Sequence, residues 1–262
     1  MNLISPISLS VIGYGHMGRA MVESWRKADI LSQCVIFGGD GNKPRYTADN
    51  AEKITSDVLL IAVKPQDASP LLDALKDNIS PNTYVISVMA GVNCKRLQVE
   101  LGEQISIIRA MPNLPSVISK GATALYADTN VLQGHKDMIE ALMSCHGTTV
   151  WLTDENDMHV VTGLSGSGPG YVFHFAEALA QAGIKNGLDV KTAYELAKQT
   201  IIGSADLLDQ HHDKTAKDLR DSVASKGGTT EAGLSVLMND LDELIEKTVK
   251  AASERSAELS KD

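Results

Sequence analysis

Short apolar, β-branched runs alternate with amphipathic helical patterns through the first half of the chain. "ISLSVIG" (7–13) reads as a buried strand running into a glycine turn. In "MGRAMVESWRKA" (17–28), Met17, Met21, Val22 and Trp25 share one face at helical spacing. "CVIF" (34–37) is a second strand and "VLLIAV" (58–63) a third. "YVISVM" (84–89) and "ISIIRAM" (105–111) follow, each after a helical stretch. "GATALYA" (121–127) and "TTVWL" (148–152) flank a helix near 131–145. Such βαβ alternation predicts an α/β fold with a doubly wound, mostly parallel sheet of Rossmann type.

The strand pattern stops near residue 155. "YVFHFAEALAQAGI" (171–184) reads as a helix ending near Gly187, and Asp189 is the expected N-cap of the next one. There Ala193, Leu196, Ala197, Thr200, Ile201 and Leu208 fall on one face, and the last stretch repeats the habit from Leu237 to Ala252. The organisation expected is a dinucleotide-binding domain over 1–156 and an all-helical domain over 157–262. The helical part has few large apolar residues, so burial against a second subunit is expected.

Composition narrows the function. The chain has 262 residues, 43% hydrophobic, with a net charge of -9 and no run of Lys or Arg, which argues against a nucleic-acid partner. Three separated cysteines, Cys34, Cys94 and Cys145, form neither a disulfide framework nor a zinc pattern, and reduced thiols in the cytoplasm are expected. No metal site is expected, because neither the histidines nor the carboxylates fall at ligand spacing. His211 and His212 sit in a polar stretch, and His159 and His174 lie on helical segments. No leader or membrane-spanning run is recognisable in the sequence.

"GYGHMG" (13–18) is a G-x-G-x-x-G turn between a strand and a helix. Gly13 permits the tight turn, Gly15 lets backbone approach a pyrophosphate, and Gly18 lets the helix lie close to the sheet. "AVKPQ" (62–66) leaves Lys64 at the carboxyl end of a strand, where open α/β sheets bind ligands. Phosphate contact and simple solvation remain alternatives for it. "SVMAGV" (87–92) ends a strand in small residues that leave room for a flat ring, and "RAMPNLPSVISKG" (109–121) presents Asn113 on a proline-stiffened loop. In "SKGGTTEAGLSVL" (225–237), Gly227 and Gly228 can form a nest of backbone N–H groups before a helix opened by Thr229 and Thr230. Two hydroxyls and several N–H groups suit a small carboxylate, and a well-capped helix start is the other reading. "SGSGPGYVF" (165–173) is a hinge or a cofactor-facing loop.

In order and spacing, these six motifs resemble those of the pyrroline-5-carboxylate reductase family from about Ser8 to the C-terminus. The resemblance implies a nicotinamide cofactor on the first domain and a helical second domain that pairs as a homodimer, often within a ring of dimers. It implies hydride transfer to the C=N carbon of 1-pyrroline-5-carboxylate, giving L-proline. It assigns substrate binding to Ser225, Gly227, Gly228, Thr229 and Thr230, with the Thr230 hydroxyl near the ring nitrogen as the catalytic contact. The cofactor set is Gly13, Gly15, His16, Met17, Gly18, Asp40, Asn50, Ala62, Val63, Lys64, Pro65, Ala90, Gly91 and Asn113. A cyclic imine can already carry its proton near neutral pH, so orientation and exclusion of water are the main contributions expected.

Two positions depart from the family pattern. Lys226 stands where relatives commonly have proline, and solvent is its expected environment. Relatives also usually have a helix where this chain has "FGGDGNKPR" (37–45). Asp40 lies at about the ~20-residue distance expected of an acid bonding the ribose 2′-OH, which favours NADH. Lys43 and Arg45 are the rival, since either can meet the 2′-phosphate of NADPH. Two other functions stay open: another dinucleotide-dependent imine or hydroxyacid oxidoreductase, and a dinucleotide-binding regulator without activity. No segment here resembles the lysine motif of the β-hydroxyacid enzymes.

Overall fold

The computed structural model describes residues 6–38, 46–47 and 52–260. The chain divides into two compact units, one formed by residues 1–167 with 250–262 and the other by residues 168–249.

The first unit holds a seven-stranded sheet in the order β2-β1-β3-β4-β5-β6-β7. Its strands are β1 (Ile7–Ile12), β2 (Leu31–Phe37), β3 (Val58–Ile61), β4 (Tyr84–Ser87), β5 (Ser106–Met111), β6 (Gly121–Ala127) and β7 (Gly147–Trp151). β2 through β5 run parallel, β6 is antiparallel to β5, and β7 is parallel to β6. Second-strand pairing begins earlier than the apolar run "CVIF": Leu31 already pairs with Ile7. Its half-exposed, polar start is what an edge strand tolerates.

Alternation explains why helices cover both faces. Leu59 and Ile61 of β3 pack into one apolar layer, whereas Val58 and Leu60 pack into the other. Ile107 and Ile108 of β5 divide the same way, as the two-residue period of a strand requires. Helices α2 (Ala68–Leu75) and α3 (Cys94–Leu101) bury against the first layer. Helices α1 (His16–Lys27) and α4 (Gln133–Ser144) bury against the second. There the fully buried Trp25 donates its indole N–H to the Leu142 carbonyl at 2.8 Å and so joins α1 to α4.

Residues 157–167, expected in the helical domain, instead pack with the sheet. α5 (Asp157–Val161) buries Met158 against Met111 and Ala124 and continues into a π-helical turn, Thr162–Gly166. The second unit contains α6 (Gly168–Lys185), α7 (Val190–Gln210), α8 (Ala216–Ser222) and most of α9 (Thr229–Leu259). Asp189 caps α7 as expected, accepting from the Thr192 N–H at 3.1 Å. Leu237, Leu244 and Ile245 of α9 remain exposed in the single chain. The last turns of α9 return to the sheet unit, where Ser256 is buried and its hydroxyl lies 3.1 Å from His159 Nδ1. Among the described residues no helix is long and apolar enough to cross a membrane.

Candidate active site

Parallel strands aim their carboxyl ends at one edge of the sheet. The turn after β1, the end of β3, the turn after β4 and the end of β5 therefore line up as neighbours. This row carries Gly13, Gly15, His16, Met17 and Gly18, then Ala62, Val63, Lys64 and Pro65, then Ala90 and Gly91, and finally Asn113. Asp40 and Asn50, with Lys43 and Arg45, lie outside the described residues.

The three motif glycines do three different jobs. Gly13 has φ +94°, and a Cβ there would stand 2.5 Å from the Ala62 backbone. A Cβ on Gly18 would meet the Gly13 carbonyl oxygen at 2.2 Å, so helix and turn touch at that point. A Cβ on Gly15 would meet nothing within 4 Å, which leaves the space above the turn open. Gly15 is also the N-cap of α1, with no side-chain cap and no acidic residue in the first turn. The Arg19 N–H bonds back to Gly15, while among the described residues those of His16, Met17 and Gly18 find no acceptor. An open space above unsatisfied N–H groups at a helix start fits a pyrophosphate. Arg19 adds positive charge there, its guanidinium 5.4 Å from the centre of the Tyr14 ring.

Lys64 is exposed and directly precedes a 3-10 turn, Pro65–Asp67. Ala90 and Gly91 sit on a turn held from several sides. The Val88 N–H bonds the Ile61 carbonyl at 3.0 Å, and Gly91 adopts φ +77° against the backbone of Leu259. The Cys94 N–H, opening α3, donates to the Glu155 carboxylate at 2.7 Å. That same oxygen pairs with Arg109 at 2.9 Å. The motifs of the sequence do not single out Arg109 or Glu155. A charged residue inside the apolar run "ISIIRAM" was the available signal for the first. Nothing local pointed to its partner 46 positions away. Burial, with the negative charge of Glu155 beside it, pushes the Cys94 thiol up and keeps it protonated.

Asn113 takes a structural post. Its side-chain oxygen accepts from the Ala122 N–H at 2.9 Å and its amide donates to the Ser165 carbonyl at 3.0 Å. One amide hydrogen and one lone pair are left over. From its place after β5, the residue braces β6 and the π-helical turn that follows α5.

In the helical unit, the Ser225–Thr230 stretch differs from the expected nest. The Gly227 N–H is taken by Glu231 Oε2 at 2.6 Å and the Gly228 N–H by the Ser225 carbonyl at 2.9 Å. The two glycines therefore shape the turn, and both of their N–H groups already have an acceptor within it. Gly227 sits at φ +73°, and a Cβ on Gly228 would crowd Ser225 Oγ at 2.6 Å. The donors that remain are the N–H groups of Thr229, Thr230 and Glu231 and the hydroxyls of Ser225, Thr229 and Thr230. Among the described residues none of these has a partner. Lys226 is exposed beside them. Two convergent N–H groups and a hydroxyl at a helix start fit a carboxylate.

Residues 155–259 match the family model described as pyrroline-5-carboxylate reductase dimerisation, and residues 8–91 match that of the coenzyme F420-dependent NADP oxidoreductases. The chain is 41% identical to the pyrroline-5-carboxylate reductase of Synechocystis, covering 97% of this chain and 99% of that one. It is 33% identical to the Pseudomonas aeruginosa enzyme over 96% of each. The solved structure from Coxiella burnetii superposes with a TM-score of 0.86 at 32% identity, covering 98% of this chain and 99% of that one. That of the Plasmodium falciparum pyrroline carboxylate reductase with NADP bound gives 0.83 at 29%, over 98% and 100%.

Proposed function

The chain belongs to the pyrroline-5-carboxylate reductase family, and from that premise we propose how its residues perform the reaction. The protein is an oxidoreductase that uses a nicotinamide dinucleotide to reduce the C=N bond of 1-pyrroline-5-carboxylate to L-proline, the last step of proline biosynthesis. It self-associates through its C-terminal region.

One observation carries the assignment of roles: among the described residues, the glycine-rich starts of α1 and α9 both leave N–H groups without an acceptor. The first suits the pyrophosphate of the dinucleotide, on Gly13, Gly15, His16, Met17 and Gly18. Ala62, Val63, Lys64 and Pro65 continue this surface, and Ala90, Gly91 and Asn113 flank the nicotinamide end. Asp40 takes the adenosine ribose, and Asn50 belongs to the same cofactor set. When bound, the dinucleotide supplies the hydride.

The second helix start takes the substrate carboxylate, on Ser225 and the N–H groups of Thr229 and Thr230, with Gly227 and Gly228 shaping the turn. Thr230 then holds the ring nitrogen. Its hydroxyl accepts from an iminium N–H, or donates to a neutral imine nitrogen, and so fixes which face of the C=N bond is offered. No side-chain acid is required when the imine arrives protonated, and the chain contributes orientation and exclusion of water.

Asp40, as the acid facing the 2′-OH, favours NADH, with Lys43 and Arg45 as the rival that favours NADPH. Comparing kcat/KM for the two cofactors, in the wild type and in Asp40→Ala, decides between them. The exposed apolar face of α9 supports assembly beyond a single chain, and a ring of dimers is tested by its mass in sedimentation. We assign the reaction to the cytoplasm, where reduced dinucleotides and free thiols coexist.

The deciding experiment is turnover. Purified protein oxidises NADH or NADPH on addition of 1-pyrroline-5-carboxylate, and Thr230→Ala lowers kcat/KM roughly tenfold or more, the scale of one hydrogen bond to a charged group. Absence of turnover with both cofactors overturns the reading.

A further inference from the structure

We propose that Glu231 is the positioning residue of the substrate-carboxylate cradle, an inference that rests on the substrate reading of Ser225–Thr230. Its carboxylate reaches back four residues to the Gly227 N–H at 2.6 Å. That bond holds Gly227 in a left-handed conformation, φ +73°, and with it the whole turn. The Gly228 N–H is tied to Ser225 within the same turn. Two N–H groups are thereby withdrawn, and those of Thr229, Thr230 and Glu231 are left at the helix start.

The arrangement also sets a charge. Glu231 places its carboxylate on the Gly227 N–H, within the turn whose remaining N–H groups are assigned to the substrate carboxylate. Among the described residues neither Glu231 nor Lys226 forms an ion pair. A small monoanion tolerates a neighbouring acid better than a phosphate, whose greater negative charge that acid disfavours. The cradle thus selects against phosphorylated ligands through Glu231, while the glycines set its shape.

The test separates the hydrogen bond from the charge. Glu231→Gln keeps an acceptor for the Gly227 N–H, and Glu231→Ala removes it. Loss of a charge-assisted bond is worth about tenfold. Glu231→Ala is therefore expected to raise KM for 1-pyrroline-5-carboxylate about tenfold, with KM for the dinucleotide and the melting temperature near wild type. Glu231→Gln restores the imine KM to within about twofold and makes inorganic phosphate a better competitive inhibitor against the imine. Gly227→Ala, which disturbs the other end of the bond, reproduces the defect of Glu231→Ala. Equal behaviour of the Ala and Gln variants, an unchanged imine KM in both, or a parallel rise in dinucleotide KM overturns the proposal. Wild-type turnover and Thr230→Ala report separately on the underlying substrate reading.

Discussion

A Cβ on Gly91 would stand 2.9 Å from the carbonyl oxygen of Leu259, so the turn after β4 and the end of α9 meet backbone to backbone. The turn carries the residues assigned to the nicotinamide end, and α9 is the helix that opens at the proposed substrate cradle. Gly91→Ala introduces both the overlap and an L-residue at φ +77°. The φ alone costs roughly 1–2 kcal/mol. The variant is expected to melt lower than wild type and to show a raised dinucleotide KM. A wild-type melting temperature would show that the end of α9 yields.

Gly13 and Gly15 are two residues apart and should respond in opposite ways. Gly13→Ala forces a Cβ into the Ala62 backbone at φ +94°, and a loss of about 2 kcal/mol or more is expected by urea unfolding. Gly15→Ala has free space and an ordinary φ of -76°, so its stability should match wild type. Its methyl instead occupies the space assigned to the pyrophosphate, and calorimetry should show dinucleotide Kd rising about tenfold or more, or ~1.4 kcal/mol.

The Arg109–Glu155 pair should be asymmetric. Side-chain exposure is 5% for Arg109 and 22% for Glu155. Glu155→Ala strands a buried cation and releases the Cys94 N–H, for a cost on the order of 3 kcal/mol. Arg109→Met is expected to cost less, because Glu155 reaches water and keeps Cys94. The double variant should be more stable than Glu155→Ala alone, as read by chemical unfolding.

His146 is fully buried, its ring nitrogens 3.1 Å from the Met21 carbonyl and 3.2 Å from that of Met143. The neutral ring donates to one of them. Burial holds the imidazole below its ordinary pKa, outweighing the attraction of the two carbonyls for a second proton. A depressed folded-state pKa means that the unfolded chain binds the proton first. His146 therefore contributes stability above the ordinary histidine pKa of about 6.5 and loses it as pH falls through the folded value. The melting temperature should drop between pH 7.5 and pH 5.5 by less in His146→Gln than in wild type. His159, also held low by burial and by Arg109, adds an effect of the same sign.

The strands of the first half and the helical second half were legible because each rests on local periodicity. Leu59, Leu60, Ile61 and their neighbours alternate between two layers, and that period of two is present in the sequence itself. The glycine motif was equally legible, since only backbone without a Cβ fits its turn. Asp189 could be read as a cap because a cap acts within a few residues. The Glu231–Gly227 bond lies within four residues and yet the sequence suggests an open nest there, since it shows the presence of N–H groups and not which acceptor reaches them.

What the sequence by itself determined was therefore the set of elements, the family to which the motifs belong, and the two glycine-rich helix starts. Only the tertiary structure decided that Arg109 meets Glu155, that Asn113 braces Ala122 and Ser165, and that the end of α9 returns to Gly91 in the sheet unit. These partners are far apart along the chain, so no short-range pattern encodes them. They meet because strands, helices and their connections close into one packed unit, where most buried polar groups find a partner.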